Sequence, residues 1–539
     1  YRRWGVECLS RFNGEFAIAL WDERAGTLLL ARDRLGIRPL YYTRASSVWA
    51  FASELKAFLK LPGFRRDLAP DALVAYLELR YVPGQQTLFK TVRKLPPGTY
   101  VLVTPDTKEI EPVSFWSLDY SPHPVSDEHE LIIEFRALLE DAVRLRMISD
   151  VPIGAFLSGG LDSGAVVALM QRHSSRAITT FTIGFGTEQD ELEEARRLAE
   201  QLDCDHHPLV IGESSYDLLK ATVWHLDEPV GDAIVIPTFL LGQEAARTVK
   251  AVVTGEGADE LLNGYVHHQA FRAAAFYNRW VPPAITRALV LPLVRHAPAG
   301  LLGRLVPYPA PLGPQGGQRA ADFLASLDRP VEAFRSLASV FPQDWLRDAL
   351  APTFRDRLST DLVTQEFEPY FGPASPPRTK GRGPCGLFEQ VGHLDLNHWL
   401  PNYTLHKQDR LAMANSLEGR VPFLDHRLVE FCARVPDSLK LRGLTTKYLL
   451  RQACRDLLPF DTVQAKKKAF YFPYTKCFGR GFKAYVQDLL SPDCIRRRGI
   501  FDPASISELA TKDPAGDLAR EKQLMSLLIL EEWMRQYLD

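Results

Sequence analysis

Two glycine-rich turns carry the residues best suited to chemistry. The first, Ser158-Gly159-Gly160-Leu161-Asp162-Ser163, follows the apolar run VPIGAF and opens a segment with helical spacing. Adjacent glycines let successive backbone N–H groups point into one concavity, and a helix behind them adds the positive end of its dipole. Ser158 and Ser163 add hydroxyl donors. Such a cradle suits a phosphate or pyrophosphate. Asp162 would repel that ligand unless a cation stood between them. Mg2+ is the natural choice, because it takes carboxylate and phosphate oxygens together. The spacing matches neither G-x-x-x-x-G-K-[ST] nor G-x-G-x-x-G, which disfavours a Walker A loop and a dinucleotide site. A tight turn with a helix cap is the plainer alternative.

The second turn is Thr254-Gly255-Glu256-Gly257-Ala258-Asp259-Glu260, which follows the run AVV. Ligands of parallel sheets gather beyond the carboxyl ends of strands, near the reversal in strand order. Two turns at such ends can face one another. Asp259 then becomes a second carboxylate for the metal, and Glu256, held between glycines, can approach a substrate closely. An acidic cap at a helix start would also account for Asp259 and Glu260.

The elements that must position these turns alternate. From Glu128 onward, HELIIEFRALLEDAVRLRMI has apolar residues at Leu131, Phe135, Leu138, Ala142 and Leu145, at helical spacing. VPIGAF, AITTFTIGF and KAVVT read as buried strands; AVVALMQRH and EEARRLAEQL read as helices. Strands alternating with helices predict a parallel sheet covered on both faces. Upstream, FAIALWDE, TLLLARD, PLYYT and VWAFAS read as short strands, ELKAFLK and DALVAYLEL as helices, and LPPGTYVLV as a turn and strand. Residues 281–317 are rich in proline and glycine and read as broken helices and loops. Residues 372–386 read as an exposed loop, and the remainder from Leu387 as mostly helical. The expected units are 1–118, a linker over 119–127, and 128–539.

The bulk properties exclude several classes. The chain has 539 residues, 46% hydrophobic and 24% charged, which is ordinary globular composition and argues for about three domains or two large ones. Its net charge of -2 gives no global signature of nucleic-acid binding. Cysteines 8, 204, 385, 432, 454, 477 and 494 have no zinc-like spacing, so neither a disulfide framework nor a zinc site is expected. The longest bilayer candidate, ALVLPLV, is short and contains Pro292. No membrane or nucleic acid is expected as partner, and a reducing, cytoplasmic location is.

With both turns in hand, the chain resembles the glutamine-dependent asparagine synthetase family. SGGLDS resembles the PP-loop of ATP pyrophosphatases, and GEGADE the family's second signature. ARDRLGIRPLYY and FASELKAF resemble the distal part of its glutaminase domain. WHLDEPVGD, KQDRLAMANSLEGRVPFLDHRLVEF, TTKYLLRQA and KKKAFYFP follow in the family's order. The resemblance implies an α/β fold: a PP-loop (adenine nucleotide α-hydrolase-like) parallel-sheet synthetase domain with a helical C-terminal part. The distal part of an N-terminal-nucleophile (αββα) glutaminase domain would precede it. It also implies a ligase that adenylates a carboxylate, by default aspartate, and transfers ammonia to the acyl-AMP, releasing AMP and pyrophosphate. The implied small molecules are ATP with Mg2+, aspartate or another carboxylate, and ammonia or glutamine; a homodimer is left open.

Carried over residue by residue, the resemblance assigns the pyrophosphate to Ser158, Gly159, Gly160, Asp162 and Ser163, and Mg2+ to Asp162 and Asp259. Backbone around Phe156, Leu157, Ile183, Thr254 and Gly255 would contact adenosine. Lys447 would stabilise the charged transition state, a task suited to a compact ammonium. Glu256 takes the place of a general base. Relatives that close β-lactam rings carry tyrosine there, so the glutamate points to ammonia as nucleophile.

Two features depart from the family. The chain opens at Tyr1, whereas the family's glutaminase nucleophile is an N-terminal cysteine, for which Cys8 is no substitute. The polypeptide as given is therefore expected not to hydrolyse glutamine, and a longer intact chain is expected. After Asp232 the family's D-P-S is replaced by Asp232-Ala233-Ile234, which leaves the acceptor open. A related amidotransferase or cyclase with another carboxylate, or a non-catalytic nucleotide-binding protein, are the alternatives. His206-His207 and His267-His268 read as structural for want of a third ligand. Lys466-Lys467-Lys468 could form a phosphate patch. Arg496-Arg497-Arg498 reads as surface, and Arg420 as a partner for Glu418 or Asp425.

Overall fold

The computed structural model describes residues 1–46, 48–186, 190–212, 218–296, 316–378, 385–465, 472, 478, 481–511 and 517–539. Alternating apolar residues, broken by turns, make the first hundred or so residues antiparallel. Strands β1 (Ala17–Asp22), β2 (Thr27–Arg32), β3 (Tyr41–Ala45), β4 (Val48–Ala52), β5 (Val92–Lys94), β6 (Thr99–Val103) and β7 (Val113–Ser114) form two sheets, ordered β1-β2-β6-β7 and β4-β3-β5. β1 pairs β2 from Ala17↔Arg32 to Asp22↔Thr27. The tight reversal uses Gly26 at φ +62°. Helix α1 (Pro70–Leu79) starts with proline at its first position and buries Leu73, Tyr76 and Leu77.

The second unit begins with α2 (Glu128–Arg146). Asp127 caps it by accepting the Glu130 N–H at 3.0 Å, and arginines 144 and 146 sit in its last turn. Its core ridge is Leu131, Phe135, Leu139, Ala142 and Val143, so Leu139 takes the buried place that the spacing gave to Leu138. A parallel sheet follows, made of β8 (Ile153–Phe156), β9 (Thr179–Gly184), β10 (Asp205–Val210), β11 (Ala251–Val253) and β12 (Glu418–Arg420) in the order β10-β9-β8-β11-β12. Helices α3 (Leu161–Arg172) and α4 (Leu192–Gln201) connect the first three strands. The chain steps outward from β8 to β10, then returns to place β11 on the other side of β8. The switch in strand order therefore lies between β8 and β11, whose carboxyl ends lead into the two glycine turns.

Two strands were not legible. β10 contains His206, His207 and Pro208, a composition that strands tolerate at an edge, and it is the sheet's edge. β12 is three residues, Glu-Gly-Arg, inside a segment read as helical; its strand character comes from pairing with β11, Val253 opposite Arg420. The loop expected over 372–386 is not wholly exposed, because Ser375, Pro376 and Cys385 are buried; residues 379–384 lie outside the described ones. So do 297–315 of the proline-rich segment, Lys466-Lys467-Lys468 and Cys477. The six described cysteines are free thiols. No described helix is long and apolar enough to cross a membrane.

One loop joins the two units. Asp227, fully buried, accepts N–H groups of Leu55 and Lys56. Glu228 pairs with Lys94 Nζ at 2.9 Å, and Asp232 with Arg80 at 2.5 Å. All three acids of the DEPVGD motif thus grip the antiparallel unit. Arg38, from the RDRLGIR motif, reaches the other way to Asp409 at 2.6 Å and to the carbonyl of Gly419 in β12 at 2.9 Å.

Candidate active site

The first turn is built so that its donors converge. Ser163 Oγ accepts the Ser158 N–H at 3.1 Å and lies 3.0 Å from Ser158 Oγ. Gly159 has φ +72°, and a Cβ there would stand 2.7 Å from the Ala195 amide nitrogen at the start of α4. The second turn presses against the first. A Cβ on Gly255 would lie 2.8 Å from Ser163 N and 3.0 Å from the Asp162 carbonyl carbon, so the turns meet backbone to backbone and only glycine admits the contact. Two turns at neighbouring strand ends can face one another, and these two do.

Lys447 completes the centre. It follows the hairpin of β13 (Leu441–Arg442) and β14 (Thr445–Thr446) and occupies a left-handed conformation, φ 54°. Its buried Nζ lies 2.5 Å from Asp162 Oδ2 and 2.6 Å from Asp259 Oδ1. A Cβ on Gly264 would collide with both Asp259 Oδ1 and Lys447 Cε. Burial depresses the lysine pKa, but the two carboxylates more than reverse this and hold the group above the ordinary lysine range, fully charged. Two carboxylates facing one ammonium leave a local excess of one negative charge. Asp162, Asp259 and Lys447, far apart in the sequence, are thus brought to one point.

The other expected residues surround this point. Phe156 ends β8, Ile183 is buried in β9, and Leu157 is buried, its N–H bonded to the Phe181 carbonyl at 3.0 Å and its carbonyl accepting from Thr182 Oγ1. The Leu157 main chain is therefore committed to the sheet, as is that of Phe156, which pairs with Phe181. Thr254 Oγ1 accepts from Gln408 Nε2 at 2.9 Å. Glu256 sits half-buried in the second turn, with its N–H 3.4 Å from Thr254 Oγ1.

Behind Glu256 lies a network that sequence reading missed. Glu260 is buried and accepts from Tyr265 Oη at 2.7 Å and Thr404 Oγ1 at 3.1 Å. Burial, with the nearby Asp259 charge, pushes its carboxyl up to about 7. A π-helical segment, Asp395–Thr404, with Pro401 inside it, supplies the partners. Trp399 donates to Tyr265 Oη at 3.2 Å and stacks on Tyr403 with centroids 3.9 Å apart. Tyr403 donates to Asp232 at 2.6 Å, and the Arg80 guanidinium lies over both rings. Asp232 is thereby engaged with Arg80 and Tyr403. Apart from the unusual residues after Asp232, nothing in the spacing announced this network, because its members come from four distant segments.

The histidine pairs resolve differently. His206 Nδ1 lies 3.0 Å from Thr180 Oγ1, and His207 pairs with Asp205 at 3.1 Å, both as edge-strand contacts. His267 and His268 do have a third group: their Nε2 atoms lie 2.5 and 2.9 Å from Asp395 Oδ2. That set could hold a metal. However, His268 Nδ1 accepts the Tyr265 N–H at 3.2 Å, which puts the ring proton on Nε2, facing Asp395. His267 hydrogen-bonds Asp395, and His268 faces the same carboxylate as an ion-pair contact. Arg420 pairs with Glu418 at 3.1 Å and donates to the Arg146 and Ile148 carbonyls at 2.8 Å, closing the end of α2. Asp425 serves Arg146 instead, at 2.6 Å. Of the arginine run, Arg496 is exposed, whereas Arg498 pairs with Glu531 at 2.9 Å and is mostly buried.

Comparison with known proteins places this geometry. Residues 134–535 match the family profile "Asparagine synthase", and residues 1–116 match a "Glutamine amidotransferase domain". A protein of Mycobacterium bovis, provisionally named a glutamine-hydrolysing asparagine synthetase, is 32% identical over 99% of this chain and 78% of its own. Glutamine-hydrolysing asparagine synthetase 1 of Bacillus subtilis is 31% identical over 91% of this chain and 72% of its own. An amidase of Penicillium rubens is 28% identical over 96% and 79%.

Proposed function

Since the chain belongs to the asparagine synthetase family and is an asparagine-synthase-like carbon–nitrogen ligase, an ATP-dependent amidotransferase, we propose that it adenylates a carboxylate, aspartate by default, and converts it to an amide. The observation that carries this reading is the convergence of Asp162 and Asp259, from two facing turns, on the single cationic group of Lys447. Two carboxylates that already share one cation are a suitable donor set for Mg2+, which when bound would neutralise pyrophosphate charge and polarise the α-phosphoryl group. The turn Ser158–Ser163 would hold the β- and γ-phosphates of ATP through its N–H and hydroxyl groups, in the manner of a PP-loop. Phe156, Leu157, Ile183, Thr254 and Gly255 would flank the adenosine.

The carboxylate then attacks the α-phosphorus, the bond to the pyrophosphate oxygen breaks, and acyl-AMP forms. Lys447 would stabilise charge developing on the phosphoryl oxygens. Glu256 would take a proton from ammonium or from the tetrahedral adduct; the amide forms as AMP leaves. The match to a glutamine amidotransferase domain supports glutamine as the ammonia source, delivered from an N-terminal-nucleophile unit.

A second reading keeps the chemistry and changes the acceptor. It is favoured by Asp232-Ala233-Ile234 and by the similarity to a protein named an amidase. Incubation with ATP, Mg2+, ammonium and a panel of carboxylates separates the two by following pyrophosphate and the amide. Aspartate-dependent pyrophosphate release with asparagine formation is expected. Release with another carboxylate alone moves the assignment to the second reading, and no carboxylate-dependent release would overturn both.

A further inference from the structure

Helix α5 (Val266–Trp280) buries His268, Phe271 and Ala274 and turns Phe276 and Trp280, one helical turn apart, to solvent at 70% and 68% exposure. The chain reverses at Val281-Pro282 and continues through the π-helical turn Thr286–Val290 into α6 (Leu291–His296). Thr286 and Leu291 face inward there, whereas Leu289 and Leu293 are 63% and 71% exposed and Ile285 is also exposed. Tyr277 Oη and Thr286 Oγ1, 2.8 Å apart, tie the end of α5 to the π-helical turn. A cluster of large apolar side chains this exposed marks an interaction surface.

Along this stretch of sequence the charge has one sign. From residue 261 to 321 the sequence contains arginines 272, 279, 287, 295, 304 and 319 and no Asp, Glu or Lys, within a chain of net charge -2. Arg272 and Arg287 find acids elsewhere, Asp437 at 3.8 Å and Asp328 at 3.2 Å. Arg279 and Arg295 flank the exposed apolar residues and make no ion pair among the described residues. Arg279 lies 6.0 Å from the Trp280 ring centroid.

We propose that this face lies on an anionic lipid bilayer, with Phe276, Trp280, Leu289 and Leu293 at the acyl boundary and Arg279 and Arg295 among acidic headgroups. An interfacial helix needs an apolar face, an amphipathic aromatic and cationic flanks, and this hairpin has each. A second copy of the chain fits less well, because a two-fold interface would set Arg279 and Arg295 against arginine, and the acid at the patch, Asp328, is already engaged by Arg287. Nucleic acid would match the charge but leave five large apolar side chains in water. That no described helix is long and apolar enough to span a membrane is no obstacle, since lying on a surface requires one apolar face only. The start of α5 neighbours the candidate active site through His268, which accepts the Tyr265 N–H, so Phe276 and Trp280 stand about 12–18 Å along the helix from it.

Vesicle flotation with the full chain tests this. Vesicles of phosphatidylcholine containing about one third phosphatidylglycerol should carry the protein upward, phosphatidylcholine alone should not, and added salt should weaken capture. The double variant L289Q/L293Q should lose about tenfold or more in vesicle affinity, and R279Q/R295Q should lose the preference for acidic lipid, both with the wild-type melting temperature. Three results would overturn the proposal: no flotation with acidic vesicles, equal capture of the wild type and L289Q/L293Q, or a dimer in solution that L289Q/L293Q dissociates.

Discussion

Asp162 and Asp259 make the same contact from different loops, and their loss should have the same signature. D162N and D259N are each expected to lower pyrophosphate release by about 10²-fold or more, with little change in urea midpoint, measured by a coupled pyrophosphate assay. Unchanged turnover in either would remove it from the cation site. Glu256 should behave otherwise. E256Q is expected to retain acyl-AMP formation while amide formation falls by about 10²-fold, read by trapping the adenylate with hydroxylamine and comparing it with ammonia-dependent product. Equal loss in both would show that Glu256 acts before the nucleophile does. The cation role of Asp162 and Asp259 was legible from residue type, since a carboxylate in a phosphate cradle needs an explanation, whereas the base role of Glu256 rests on the family resemblance. Lys447 was not legible in that way: an exposed helix lysine and this buried one look alike in sequence, and only the motif around it singled it out.

Elements decide whether those residues meet. The close approach of Gly255 to Asp162 and Ser163 makes the two turns one rigid object. G255A should force them apart by a few tenths of an ångström and cost about 1–3 kcal/mol of stability, with pyrophosphate release falling further than the fold does. A thermal melt beside the activity assay distinguishes the two effects. The strand–turn–helix order predicted both turns because apolar strands and glycine breaks have local signatures. β10 and β12 escaped because their strand character is borrowed: one is an edge carrying two histidines and a proline, the other three residues completed by β11. The π-helical segment was equally invisible. It reads as ordinary helix, yet its wide turn brings Trp399, Tyr403 and Thr404 to the back of the site. It also buries His398, and His406 follows it in the next helix.

Those two histidines, together with His268 and His393, which burial holds at about 4, weaken the whole molecule in acid. Burial, reinforced by Lys94 for His398 and by Arg410 for His406, lowers each to about 3. A depressed histidine contributes stability that is fully present above the unfolded value near 6.5 and is lost as pH falls below it, because only the unfolded chain then takes up the proton. At pH 5.5 the cost is about 1.4 kcal/mol each, about 3 kcal/mol for the pair. Urea midpoints at pH 8 and pH 5.5 should show the drop, and H406Q should reduce it; an identical pH slope in that variant would remove His406 from the account. The join between units is the other global feature. Truncating one partner of the buried Lys94–Glu228 pair, as in E228A, should cost about 3–5 kcal/mol, and K94M/E228L should recover much of it, by chemical denaturation of the full chain. Sequence could not foretell this join. Its acids lie in a motif that the family resemblance ties to the synthetase half, while their partners Lys56, Lys94 and Arg80 look like ordinary surface cations.

That loop also governs how the protein can be recombined. A chimera that replaced the antiparallel unit with one from a distant relative would keep Asp227, Glu228 and Asp232 in place, and would have to bring its own cations at the positions of Lys56, Lys94 and Arg80. Where the donor lacked them, the graft would leave Glu228 a buried unpaired charge and Asp227 and Asp232 without their cations, and the two halves would be inherited only as a matched set.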